Sequence, residues 1–203
     1  MLQATGRTTA RCYTLKSLVD ERFSVPITPA LHEEAVWRER IAPLLQGVKD
    51  MVLAICAHGV TQMIQNVLAH AAASRLTVRV SRNPAEIMLL VSDDGGGLFT
   101  KLQSDLHLDD PRQALRELVE GRVTVDPKRH SGNGLFFTSR LFDRFAIISG
   151  PLSCVWTNEA EDGLEVIEHE PRDGTSIVMA IAVNATQAIE EVVTATRASC
   201  DHP

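Results

Sequence analysis

Basic charge is in short supply in this chain. Twenty lysines and arginines stand against twenty-six aspartates and glutamates, a net charge of -6 over 203 residues. The basic residues are scattered, with no Lys/Arg run. A nonspecific nucleic-acid surface shows as a basic excess or stripe, so that class is disfavoured. Cysteine is sparse too. Cys12, Cys56, Cys154 and Cys200 lie far apart with no CxxC pair, which reads as isolated thiols in a reducing compartment, neither a zinc site nor a disulfide framework. No apolar stretch approaches the length of a membrane span, and the opening MLQATGRTTAR lacks the apolar core of a signal peptide. GxxxxGK[ST] is missing, which removes a P-loop. There is no internal repeat and no low-complexity tract. The expectation is a cytoplasmic protein, 44% hydrophobic, with enough apolar residues for one substantial domain and a modest appendage.

Periodicity supplies the elements. Residues 1–12 are polar and expected to fray, and YTLKSLV reads as a short strand. ITPALHEEAVWRERIAPLL reads as a helix starting at Thr28-Pro29 and stopped by Gly47. A long helical pattern runs from Val48 to Ala73, with Gly59 as a candidate break. LTVRV and EIMLLVS form a hairpin around Asn83-Pro84. DDPRQALRELVEG reads as a helix with Asp110 as N-cap, Pro111 at N1 and Gly121 as stop. LFFTSRLFD is another helix. FAIIS, SCVWT, LEVIEH and TSIVMAIAV are strands, and ATQAIEEVVTATRAS closes the chain as a helix. This order predicts an α+β fold, a mostly antiparallel sheet with helices on one face. The predicted division is a helical lead-in over 1–46, a main domain over 47–183, and a C-terminal helix and tail over 184–203.

Two places carry candidate chemistry. VSDDGGGLF, Val91 to Phe99, sets two aspartates and three glycines directly after an apolar strand: either a plain turn, or a loop in which a carboxylate reads a ligand and glycines let backbone approach it. Upstream, GVTQMIQNVLAHAA spaces Gln62, Asn66 and His70 by four, one polar stripe on an otherwise apolar helix.

Together with HSGNG and DGTS, these segments resemble the nucleotide site of the GHKL ATPases: gyrase, the heat-shock chaperone, histidine kinases and the mismatch-repair ATPase. The four motifs occur in that family's order. The resemblance covers roughly Tyr13 to Val183, and DPKRHSGNGLFFTSRLFDRFAIIS is similar along its whole length to stand-alone bacterial regulatory members. It implies a Bergerat-type two-layer sandwich with a mixed, mostly antiparallel sheet, and ATP with Mg2+ as cofactors. By it, Asn66 matches the magnesium-coordinating asparagine. Asp93, Gly95 and Gly97 match DxGxG, whose aspartate accepts a hydrogen bond from the adenine amino group. Gly132 and Gly134, with Leu135 beside them, match the glycine box over the phosphates. Thr175 matches the threonine that helps hold adenine and that aspartate. His70 and His130 stand where they could touch a phosphate or the lid, or serve helix packing. Residues 100–131, with few bulky apolar anchors outside LRELV, are expected to be a nucleotide-gated lid.

One position departs from the pattern. Hydrolysing members carry glutamate four residues before the asparagine, as general base; here that residue is Gln62. An amide cannot take a proton, and a positioned base is worth about two to four orders of magnitude in rate. The expected function is therefore an ATP-binding regulatory switch, with weak or no hydrolysis, acting on a partner protein or as a homodimer. An active ATPase or anti-sigma-type serine kinase, and a scaffold that has lost its ligand, stand as alternatives. His32-Glu33 is read as an acidic helix start, and Trp37, Trp156 and Phe136-Phe137 as packing.

Overall fold

A computed structural model describes residues 2–5, 12–119, 134–157 and 164–189, with Val192 and Thr194. Its architecture is α+β, a five-stranded antiparallel sheet with helices packed against it. The strands and helices follow in chain order: β1 (Leu2–Thr5), β2 (Cys12–Leu15), β3 (Val19–Pro26), α1 (Glu33–Val36, continuing as a π turn and a 3-10 turn to Leu45), α2 (Asp50–His70), β4 (Arg75–Arg82), β5 (Glu86–Asp93), α3 (Leu98–Asp105), α4 (Pro111–Val119), α5 (Gly134–Leu141), β6 (Arg144–Thr157) and β7 (Leu164–Ala182). The sheet order is β3-β4-β5-β7-β6, and every pairing is antiparallel. The parallel component implied by a mixed sheet is not found among the described residues.

Alternation sets the inner face. In β5 the odd positions Ile87, Leu89, Val91 and Asp93 are buried and the even ones half-exposed, the period of a strand covered on one side. Leu76, Val78 and Val80 of β4, Ile177, Met179 and Ile181 of β7, and Phe145 and Ile147 of β6 join them in one core. Against that face lies α2, burying Val52, Ile55, Cys56, Val60, Met63, Ile64 and Val67. Each such apolar side chain contributes about 1.5–3 kcal/mol. Gly59 does not break the helix. A Cβ there would lie 2.6 Å from the Phe142 ring, so the glycine lets α2 close on α5. At 21 residues and mean hydropathy 1.4, α2 has the length and composition of a membrane span, contrary to the sequence expectation. In the fold its apolar side is core, with Ile55, Val60 and Ile64 fully buried.

Several expectations change. The opening residues pair as β1 and β2. β3, within the segment expected to be a helical lead-in, is an edge strand of the main sheet, pairing Val19 with Arg82 through to Pro26 with Arg75. The first helix begins at Glu33, after the His32 cap, not at Pro29. α3 follows the glycines directly. Phe99 (0% exposed) and Leu102 (2%) enter the core beside Ala114, Leu115 and Leu118 of α4, so the start of the expected lid is anchored by more than LRELV. β6 and β7 are single long strands, with register shifts at Gly150 absorbing the PRDG segment. The α4 cap is as expected: Asp110 Oδ1 accepts the Arg112 N–H at 2.8 Å. The β4–β5 turn is held by Asn83 Oδ1, which accepts the Ala85 and Glu86 N–H groups at 2.8 and 2.9 Å. Gly121 and most of the C-terminal helix lie outside the described residues.

Candidate functional site

The inner face of the sheet ends in a polar row. Leu89 faces Met179, which faces Phe145; Val91 faces Ile177, which faces Ile147. One step further along all three strands the inward positions are Asp93, Thr175 and Ser149, the last two directly paired. Asp93 is only 9% exposed and Ser149 only 1%. Three adjacent strands thus replace apolar side chains by a carboxylate and two hydroxyls at the same end. Buried polar groups cost about 1–3 kcal/mol each unless hydrogen-bonded, so the bonds within this row decide its character.

Those bonds tie three distant segments together. Asp93 Oδ1 accepts the Gly95 N–H at 2.8 Å, and the Thr175 backbone N–H also favours its ionised form. The Leu98 N–H, at the start of α3, is shared between Ser149 Oγ at 2.7 Å and Thr175 Oγ1 at 2.9 Å. Ser149 in turn donates to the Gly174 carbonyl at 3.3 Å and lies 3.2 Å from Thr175 Oγ1. The Gly174 N–H donates to the Gly95 carbonyl at 2.8 Å, and the Gly96 N–H to the Ala71 carbonyl at 3.4 Å. The DDGGG loop is therefore stitched to β6, to the Gly174-Thr175 bend of β7 and to the end of α2.

Glycine is required at two of these stitches. A Cβ on Gly95 would lie 2.0 Å from the Ala71 carbonyl oxygen. A Cβ on Gly174, whose φ is +72°, would lie 2.0 Å from the Asp93 carbonyl oxygen. Gly96 meets nothing within 4 Å, which agrees with its being the one loop glycine outside the DxGxG pattern.

The two aspartates of the loop take opposite roles. Burial pushes the Asp93 carboxyl above its ordinary value, against the pull of the Gly95 and Thr175 N–H groups. Asp94 points outward and clamps the turn between α2 and β4. It accepts from Ser74 Oγ at 2.6 Å, Ser74 N–H at 2.8 Å and Arg75 N–H at 2.9 Å. The Ser74 hydroxyl leads in holding its carboxyl below the ordinary range. Asp94 is structural; Asp93 is the buried carboxylate facing the row.

α2 carries the remaining sequence candidates. Gln62, Asn66 and His70 are half-exposed along it, and the helix ends one residue before Ala71, where the loop is attached. Asn66 stands about 7.5 Å along the helix axis from Ala71, five residues at the helical rise. Gln62 Nε2 donates to Gln65 Oε1 at 3.4 Å, a weak tie within the stripe. Among the described residues no group of three or more His, Cys, Asp or Glu is placed to hold a metal. A magnesium ion beside the single Asn66 amide would therefore depend on phosphate and water oxygens for the rest of its shell.

The second glycine box is only partly in view. Gly134 opens α5 and Leu135 packs against the core; His130 and Gly132 lie outside the described residues. A shallow hollow lined by Leu118, Leu135, Phe136, Ser139, Phe145 and Trp156 takes none of its walls from the glycine junction. Phe145 and Trp156 meet edge to face there, with ring centroids 5.9 Å apart, so packing accounts for it.

Ser149 was not among the residues singled out from the sequence. Its signal was nevertheless present: in FAIIS the inward run Phe145, Ile147 reaches a serine at the next inward place, as Ile87, Leu89, Val91 reaches Asp93. The Ala71 carbonyl, a backbone group, left no such signal. Compared with known proteins, the chain matches no protein-family model and no curated protein.

Proposed function

We propose that this chain is an ATP-binding regulatory protein of GHKL type, with a Bergerat-type sandwich, that binds ATP with magnesium in the cytoplasm and hydrolyses it weakly or not at all. The reading rests on one observation above the rest: Asp93, the DDGGG loop and Gly174-Thr175 come together at one end of the sheet although some eighty residues separate them. An adenine amino group is a donor, and a carboxylate has about four acceptor directions. The Gly95 and Thr175 N–H groups leave capacity on Asp93 for a further donor, and its ring of fixed bonds holds it in place to read one. The Thr175 hydroxyl beside it can turn its proton toward a ligand or toward Ser149.

Asn66 would supply the protein's share of the magnesium shell, and the bound nucleotide would bring the phosphate oxygens that complete it. Gln62, one turn earlier, can orient a water through its amide but cannot accept its proton at neutral pH. Binding without efficient turnover is what a switch needs, the nucleotide state altering affinity for a partner protein. A titration of labelled ATP, ADP and GTP against the whole chain, with and without magnesium, tests the proposal. Saturable ATP binding that magnesium tightens, with GTP much weaker, is expected. Equal affinity for GTP and ATP, or no binding of either, would overturn it.

A further inference from the structure

β7 changes surroundings half-way along. From Ser176 to Ala180 it lies between β5 and β6, but its pairing with β5 ends at Ser92–Ser176. From Leu164 to Arg172 it pairs with β6 alone. The side of β7 that faces β5 lower down is therefore an open edge here, and among the described residues no backbone hydrogen bond crosses it. Val166 is 45% exposed and Ile167 44%. As neighbours in a strand they project from opposite faces of the ribbon.

The edge is also strongly acidic. Glu165, Glu168 and Glu170 are exposed, and residues 164–170 contain no lysine or arginine to offset them. One guanidinium already reaches the ribbon, Arg112 of α4 pairing with Glu168. Glutamates guard an edge against pairing with another acidic strand; a basic strand turns the same guard into attraction.

We propose that the edge Leu164–Glu170 of β7 is a docking site for an extended, basic segment of a partner protein, which adds to the ribbon as an antiparallel strand. Residues directly opposite each other in such a pair share a face. The incoming strand thus needs the order basic, apolar, apolar, basic, opposite Glu168, Ile167, Val166 and Glu165. A second copy of this chain does not meet that need. Self-pairing centred on Val166 and Ile167 would set Glu165 against Glu168 twice over. The site is separate from the glycine junction and needs no nucleotide.

The test is an NMR titration of the intact, 15N-labelled chain with the capped peptide acetyl-Thr-Lys-Val-Ile-Lys-Thr-amide at low salt. Saturable shifts confined to the amides around Leu164–Glu170 are expected, weakening as salt rises. The Glu165→Lys/Glu168→Lys protein should bind about tenfold more weakly, and Glu165→Gln/Glu168→Gln should fall between. Should the lysine variant fail to fold, the peptide side decides. N-methylation of alternate peptide amides on the edge-facing side should abolish binding, because it removes the ladder bonds while leaving the charge. Undiminished binding of the N-methylated peptide, equal binding of a peptide with Glu in place of Lys, or no saturable shift at millimolar peptide would each overturn the proposal.

Discussion

The glycine junction and the polar stripe of α2 meet at Ala71, and they are held in opposite ways. At the junction nearly every polar group is bonded to the protein itself: Leu98 N–H to two hydroxyls, Ser149 to a carbonyl, Gly174 N–H to Gly95, Asp93 to Gly95. On the stripe, Gln62 has one long bond to its neighbour Gln65, and Asn66 projects from a helix whose stability comes from its other side. The junction is over-determined by the fold, whereas the Gln62 and Asn66 side chains of the stripe are far less engaged. Changes at the junction glycines should be read as stability, and changes at Asp93, which keeps acceptor capacity beyond its bond to Gly95, and on the stripe as binding and turnover.

The largest break in that contrast is Gly174→Ala. A positive φ costs a residue with a Cβ about 1–2 kcal/mol, and the new Cβ must also displace the Asp93 carbonyl from 2.0 Å. A loss of about 3 kcal/mol or more is expected in urea unfolding. Gly95→Ala should approach it, because of the Ala71 carbonyl. Gly96→Ala, with nothing within 4 Å, should stay within about 0.5 kcal/mol. A similar loss at all three glycines would mean the junction is not the tight knot described.

What was legible in the sequence was what is local. The Asn83-Pro84 hairpin, the Asp110 cap and the apolar stripe of α2 each announce themselves within a few residues, and each is present. The position of Asp93 was legible too, as the next inward place after Ile87, Leu89 and Val91. β3 was not legible. VDERFSVP carries Asp20, Glu21, Arg22 and Ser24, and its strand state depends on pairing with β4, 49 to 63 residues away. Asp20 and Arg79 form part of that pairing, a two-point ion pair at 2.8 Å. α3 was hidden for a similar reason. LFTKLQSD has a weak helical pattern of its own, and its first N–H is satisfied by Ser149 and Thr175, remote residues that no local pattern reveals. PRDG reads as a turn, yet Gly150 and the bulges beside it let β6 and β7 stay paired through it.

Second in size is Asp93→Asn, which separates the carboxylate's two effects. Because burial raises its pKa in the fold, Asp93 favours folding most when protonated. That contribution is present at low pH and is lost as pH rises through its raised value. At neutral pH the asparagine variant should therefore unfold no more easily on account of the lost charge. Asp94 has the opposite sign: held low by Ser74 and Arg75, it contributes above its unfolded value and loses that contribution as pH falls through its depressed one. ATP affinity should fall at least tenfold in Asp93→Asn, a charge-assisted bond being worth about 1.5–3 kcal/mol. In the native protein it should weaken on acidification, beginning above the ordinary aspartate value of 3.8. Calorimetry at several pH values reads both, and an affinity indifferent to Asp93→Asn would remove it as the adenine reader.

Gln62→Glu moves the comparison to the stripe. The exchange is nearly isosteric, on a half-exposed turn of α2, so stability should barely change. If the amide is what limits turnover, a carboxylate at that place can take the proton of an attacking water, and ATP hydrolysis should rise at least about tenfold with affinity much less altered. Phosphate release from purified native and variant protein measures it. A native rate equal to the variant's would show that Gln62 is not the limiting residue. Binding in both with hydrolysis in neither would place the deficit beyond Gln62 and favour a switch driven by its partner.

The smallest expected effect on the fold, and the sharpest test of the contrast, is Asn66→Ala. The residue is half-exposed near the C-terminal end of α2, flanked on the buried side by Met63, Ile64 and Val67, which carry the packing. Alanine is the better helix former by up to about 0.7 kcal/mol, so the unfolding midpoint should hold or rise slightly. The loss should instead appear in one difference: how much magnesium tightens ATP. An amide oxygen coordinates a hard cation and alanine offers nothing in its place, so the variant should bind ATP without magnesium about as the native protein does, yet gain little when magnesium is added. Parallel titrations with and without the metal read that difference directly. A variant that keeps the full magnesium effect would show that Asn66 does not hold the ion. One that unfolds markedly earlier would show that the stripe is part of the framework after all, and the division between a locked junction and an open helix face would have to be given up.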